Sequence, residues 1–351
     1  MAEESNMGSL FDDVVTDCRN SQESSDKHTE EKDFELVIEA VAVTDVLAGD
    51  KERFNTNNIW TDSKKPDDYE FVGEQCNTCR WIDKFHQQYS VVNIPVSSWM
   101  KQAWGFGVMT GKLSKLHSED VDSYVAVHNK QSIKQVLESK KHFIRSDHVS
   151  LKRGVHNAGP YSNLKMIVES LITTDTGHSV LNDKNFESGQ VKLYLMEWRD
   201  DMVYDQEFRV FVHNRKITAI SQQHLYSVNT VLNELNEEQR EFVVKGWVKT
   251  IQDYFEKVIV HKLDHVTSYC IDFAILRDGS PYFIEINPFG REYSSGSALF
   301  GWIQDDEILY GKTGKLYFRY TCRDDDECKI NFNRYDLIDS EKLAKLLKVL
   351  K

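Results

Sequence analysis

From 236 to 260 apolar side chains recur every third or fourth residue: Phe242, Val243, Trp247, Val248, Ile251, Tyr254, Phe255 and Val258 fall on one stripe. That spacing predicts an amphipathic helix, with Asn233 or Asn236 as its cap. Shorter helical patterns cover 129–140 and 161–174, the second carried by Leu164, Ile167, Val168 and Leu171. Strand patterns occupy 142–145, 191–198, 207–212 and 216–224, and His213-Asn214-Arg215 reads as the hairpin turn between the last two. Two further strands flank the turn Arg277-Asp278-Gly279-Ser280, and a late strand at 315–321 precedes a terminal helix at 336–350. Residues 51–130 are rich in Trp, Tyr, Phe and Gly without clear periodicity, and read as ordered but irregular. Residues 34–47 are apolar and compatible with a strand, a helix or a docking peptide, whereas 174–189 reads as a polar loop. Three strands, a long helix and then a hairpin make an α+β pattern rather than a doubly wound one.

The hairpin at 268–290 carries the chemistry. Asp272 lies between Ile271 and Phe273, and Glu285 lies between Ile284 and Ile286. Asn287 falls on the same strand face as Glu285, because side chains alternate with period two. A carboxylate at an apolar strand position is costly to desolvate unless something pairs with it. A hard divalent cation is one such partner, since Mg²⁺ prefers carboxylate and amide oxygens, usually beside substrate phosphates. The alternative is a pair of structural acids bonded to backbone or arginine.

Composition narrows the class. At 351 residues the chain can hold one large or two medium domains. Of its net charge of −13, residues 1–50 contribute −11, from fourteen acidic and three basic residues. An acidic disordered tail is expected over 1–33. No large basic face argues for direct nucleic-acid binding, and no long apolar run argues for a membrane span or secretory signal. Six cysteines are ordinary for a reducing compartment. A cytoplasmic monomer is expected.

Three other segments belong with the hairpin. Residues 143–152, Phe-Ile-Arg-Ser-Asp-His-Val-Ser-Leu-Lys, leave a strand with Arg145 and Lys152 as cations. The strand 191–198 ends in Met196, Glu197 and Trp198, and the strand 207–212 places Glu207, Arg209 and Phe211 on one face. Phosphoryl chemistry calls for such a set: cations for the phosphates, carboxylates for bridging metal ions, and an apolar slot for the base. Arginine on an otherwise apolar strand face fits an anion, although pairing with a nearby acid is the simpler alternative.

Glu207-Phe208-Arg209-Val210-Phe211-Val212, its continuation Arg215 to Gln222, and Ile284-Glu285-Ile286-Asn287-Pro288-Phe289-Gly290 together resemble the cell division cycle protein 123 family of ATP-grasp proteins, from about 141 to 304. The resemblance implies an ATP-grasp fold with nucleotide held between two lobes. It implies ATP and Mg²⁺ as ligands, with the adenine hinge at 195–198, a phosphate-holding basic segment at 145–152, and Asp272, Glu285 and Asn287 on the metal. It also implies a protein partner, the gamma subunit of translation initiation factor 2, whose assembly the family assists. The alternatives are an ATP-dependent ligase joining a carboxylate to an amine or other nucleophile, and a nucleotide-free scaffold. Arg291 stands where the family has an acid, and 293–302 is about two residues longer than usual. The expected division is an acidic tail at 1–33, a divergent region at 34–135, an ATP-grasp-like core at 136–315, and a C-terminal strand and helix at 316–351.

Two motifs are set aside. In residues 105–113 the first glycine of a P-loop falls on Phe106, and Leu113 replaces the required Ser or Thr. Cys76 and Cys79 have ligand spacing, but Cys322 and Cys328 make a poor second half.

Overall fold

A computed structural model describes residues 35–57, 65–110, 117–174, 178–293 and 295–324. The expected tail, Phe34, Cys328 and the helix at 336–350 lie outside the described residues. Nine strands are present among them: β1 (Leu36–Ala42), β2 (Tyr89–Pro95), β3 (His142–Arg145), β4 (Gln190–Glu197), β5 (Met202–His213), β6 (Lys216–Gln222), β7 (Tyr269–Leu276), β8 (Pro281–Pro288) and β9 (Leu316–Cys322). The α+β class expected from the sequence is what the structure shows.

The chain divides into two compact units, one built from 1–75 and 201–351, the other from 76–200. The boundaries expected near 135 and 315 are therefore not where the units separate. The cause is strand pairing that sequence distance hides: β1 runs parallel to β9, and β9 parallel to β6, in the same sheet as the acidic hairpin.

The first unit is a six-stranded sheet in the order β1-β9-β6-β5-β7-β8. β5 and β6 are joined by a two-residue turn in which both Asn214 (φ 49°) and Arg215 (φ 61°) are left-handed, the geometry whose twist matches a hairpin. One sheet face is covered by the helix Glu237–Tyr254, with Trp247 packed against Phe208 and Phe318. Asn236 caps that helix through a reciprocal box with Gln239. The helix does not run regularly to 260: Phe255–Ile259 form a wider π turn, and Phe242 stays 36% exposed at the margin of the stripe. The other face carries a core of Phe211, Phe289, Phe300, Trp302 and Leu309.

The second unit is a three-stranded antiparallel sheet, β2-β4-β3. Val92, Ile94, Ile144, Leu193 and Leu195 share its core with the buried residues of the helices Ser118–His128, Gln131–Ser139 and Leu164–Thr173. Residues 51–130 are more regular than their pattern implied, since Tyr69–Gln75, Ser98–Thr110 and Ser118–His128 are helical. The inner faces of the last two use aromatics such as Trp99, Trp104 and Tyr124 in place of a clean aliphatic stripe. The helix Ser98–Thr110 also contains Gly105 and Gly107 of the rejected P-loop, and a Cβ at Gly107 would run into the Ile172 carbonyl, so this glycine permits a helix crossing.

Candidate functional site

Five register pairs place six polar residues in one line across the first unit's sheet: Glu39, Arg319, Ser221, Arg209, Asp272 and Glu285. Strand alternation then puts all six on the face away from the long helix. Their neighbours two residues along on the same face, Tyr317, Ala219, Phe211 and Cys270, enter the apolar core. Each strand thus passes from packing to chemistry within two residues.

Arg209 and Asp272 form the centre of the line. The guanidinium donates from Nε to Asp272 Oδ1 and from Nη2 to Oδ2, both at 2.8 Å, and from Nη1 to the Gly296 carbonyl at 2.7 Å. The two side chains are 11% and 3% exposed. Burial is the largest influence and works against the Arg209 charge, but the Asp272 carboxylate, aided by Cys270 and Glu285, outweighs it and holds the pKa above the ordinary value. Removing one partner from such a buried pair typically costs about 3–5 kcal/mol, because the other charge is left uncompensated. Asn287 Nδ2 points at Asp272 Oδ2, 3.4 Å away. Glu285, half-buried on the edge strand, lies directly opposite Asp272, a register that brings the two Cβ atoms within about 4.5–5.5 Å.

Sequence reasoning missed the other end of the line. Arg319 donates to Glu39 Oε2 at 2.6 Å and spans both Asp305 oxygens at 2.8 and 2.9 Å, with its guanidinium 4.1 Å from the Phe300 ring centroid. The available signal was the one used for Arg209, a cation inside the apolar run Leu316-Tyr317-Phe318-Arg319-Tyr320. Ser221 accepts from the Leu299 amide, and Thr56 Oγ1 accepts from the Trp302 amide. Residues 295–305 are thereby tied down along the line they cross. With Asp305, the line sets four carboxylates against two guanidiniums, a formal balance of −2.

The donor set fits a hard cation accompanied by other ligands. It offers two carboxylates and an amide whose rotation would present oxygen, and Mg²⁺ commonly completes such sets with water and phosphate. Arg209 donates to both Asp272 oxygens and Asn287 to one of them, so a cation would share this carboxylate with them. No cluster of three or more His, Cys, Asp or Glu side chains arranged for metal binding occurs among the described residues. A dedicated all-protein cage is therefore not what these residues make.

The remaining expected residues lie in the second unit. Arg145 is 2% exposed, donates from Nε to Thr78 Oγ1 at 2.8 Å and lies 4.7 Å from the Trp81 ring centroid. The strand end that carries it lies against Trp81, with Nε engaged by Thr78 within the unit. Lys152 is exposed in the loop after β3. Met196 is buried and paired on both sides, with Tyr89 and Phe143. β2 ends its pairing there, so Glu197 is accompanied by β3 alone. Glu197 meets Lys140 at 3.1 Å, and Trp198 Nε1 donates to Asp200 at 2.9 Å. Arg291 pairs with Glu292 at 3.0 Å.

Residues 162–341 match the D123 family, which spans β4 to β9 and so includes Arg209, Asp272, Glu285 and Asn287. The chain belongs to the D123 family. A translation initiation factor eIF2 assembly protein from Lodderomyces elongisporus is 35% identical over 116 residues, which is 32% of this chain and 27% of that protein. The match therefore spans about a quarter of the curated relative. Among solved structures, Cdc123 from Schizosaccharomyces pombe aligns over 72% of this chain and 97% of its own at 16% identity, with a TM-score of 0.49. D-alanyl-alanine synthetase A from Vibrio cholerae aligns over 77% and 61% at 14% identity, with a TM-score of 0.25. Family membership, expected from the hairpin and the Glu-Phe-Arg strand, is borne out by the family match.

Proposed function

We propose that this D123-family chain is an ATP-grasp protein that binds Mg²⁺ and ATP and acts on a protein partner as an assembly factor in the cytoplasm. The observation that carries the reading is the opposed Asp272–Glu285 pair, with Asn287 on the same face and Arg209 beside it. Carboxylate and amide oxygens next to a guanidinium suit a metal–polyphosphate, because the cation takes the oxygens and the guanidinium matches phosphate. Bound there, Mg²⁺ would supply positive charge to offset that of the phosphates. Asp272, Glu285 and Asn287 are the residues that would hold it.

Arg209 faces the phosphates in this reading, held in place by the Gly296 carbonyl. In the second unit, taken by itself, Lys152 is an exposed cation able to meet a phosphate. The chain beyond Met196 has one neighbouring strand, the kind of backbone edge that adenine recognition uses. Support for the partner comes from the name of the Lodderomyces relative, an eIF2 assembly protein, and points to a subunit of that factor, the gamma subunit being the one expected. ATP then acts by differential binding: it favours whichever conformation grips the partner, and turnover is not required.

Capture of the purified gamma subunit by immobilised full-length protein tests this directly. Retention should rise when Mg²⁺ and ATP are both present and should not rise for Glu285→Gln. Equal retention with and without nucleotide would remove ATP from the function, and no retention under any condition would remove the partner.

A further inference from the structure

Arg209 already occupies the carboxylate that the cation needs. It spans both Asp272 oxygens at 2.8 Å while its third nitrogen is held by Gly296 at 2.7 Å. A Cβ at position 296 would run into Asn55 Oδ1, so the backbone carrying this carbonyl packs closely against Asn55. All three guanidinium nitrogens are thus engaged, two on Asp272 and one on the Gly296 carbonyl.

A bare divalent cation at Asp272 would sit close to this fixed positive charge in a largely water-free place, where repulsion is poorly screened. Phosphate changes the balance, because its oxygens can accept the guanidinium hydrogen bonds and coordinate the cation together. We propose that Arg209 is a specificity-determining residue. It holds Asp272 as a resident counter-ion, and so admits a divalent cation only together with a polyphosphate. This rests on the Mg²⁺–ATP reading and adds to it a stated order of dependence: metal and nucleotide must bind with positive coupling, and that coupling must run through Arg209. By linkage each ligand then raises the other's affinity by the same factor.

Mn²⁺ is a spectroscopically visible probe. Its binding to the full chain would be followed by electron paramagnetic resonance, with and without the non-hydrolysable β,γ-imido analogue of ATP, for wild type, Arg209→Met and Arg209→Lys. In the wild type, Mn²⁺ alone should bind weakly, with the analogue tightening it within the roughly 5- to 150-fold range usual for coupled sites. Arg209→Met should bind Mn²⁺ alone about tenfold more tightly and lose most of the coupling. Arg209→Lys, which keeps the charge without the bidentate grip, should fall between the two. Mn²⁺ should also raise the unfolding midpoint of Arg209→Met more than that of the wild type, a readout available even if this variant folds poorly without metal.

If Mn²⁺ alone binds Arg209→Met and Arg209→Lys no better than wild type, the proposal is overturned. If nucleotide affinity also falls equally with and without metal, Arg209 is a plain phosphate contact and the Mg²⁺–ATP reading survives. A wild-type chain that binds neither Mn²⁺ nor the analogue, separately or together, overturns both.

Discussion

His213 illustrates how a single residue ties the packing of the first unit to solution conditions. Its ring stacks on Phe289, with centroids 5.2 Å apart, and meets Tyr310 edge-on at 5.1 Å. Burial lowers its pKa from the ordinary 6.5, because the charged imidazolium is poorly solvated there. The unfolded chain therefore binds a proton that the folded chain resists. Stability from this group is present above pH 6.5 and falls as the pH drops through 6.5 toward the lower folded value. Denaturant unfolding at pH 7.5 and 5.5 should show that loss, and His213→Phe should reduce it; an identical pH slope in the variant would contradict the assignment. At the same scale, Asp272 and Glu285 stood out in the sequence because carboxylates inside apolar strands need a reason. Which reason applies could not be read from the strand alone. Arg209 and Asp272 are 63 positions apart, and their pairing depends on β5 and β7 being neighbours. The partners of Arg145 were hidden for a related cause: Thr78 and Trp81 come from a segment without legible periodicity.

At the scale of elements, the polar line works because residues 295–305 are fixed over it, and Arg319 does much of the fixing. It bridges β1, β9 and Asp305, which in turn accepts from the Gly301 amide. Arg319→Met removes a cation that is 4% exposed and leaves Asp305, equally buried, without its counter-ion. The expected loss is about 3–5 kcal/mol in chemical unfolding; a change under about 0.5 kcal/mol, typical of surface substitutions, would mean that the clamp is not formed. The antiparallel hairpins and the long helix were legible from alternation, turn chemistry and a capping signal, all of them local. The parallel β1–β9 pair was not: seven register pairs join residues 280 positions apart, from Leu36 with Leu316 to Ala42 with Cys322, and nothing in either strand names the other. The π turn at Phe255–Ile259 was equally hidden, since one wide turn barely disturbs the helical stripe.

For the whole molecule, the family match begins at 162, so it covers the hairpin strands and leaves β1, β2 and β3 outside. The polar line nevertheless depends on β1 for Glu39. A strand outside the family match thus contributes to the face that carries Arg209, Asp272 and Glu285, and the matched segment alone would have omitted one end of it. No helix among the described residues is long and apolar enough to cross a membrane. The account as a whole stands on the acid-rich end of that line being a metal–nucleotide site. Calorimetric titration of the full chain with ATP, with and without Mg²⁺, beside Glu285→Gln, tests this most directly. The account predicts Mg²⁺-dependent binding that weakens about 10- to 100-fold in the variant, while the variant's unfolding midpoint stays near that of the wild type. Binding that ignores both Mg²⁺ and the substitution, or no binding by the wild type, would contradict it.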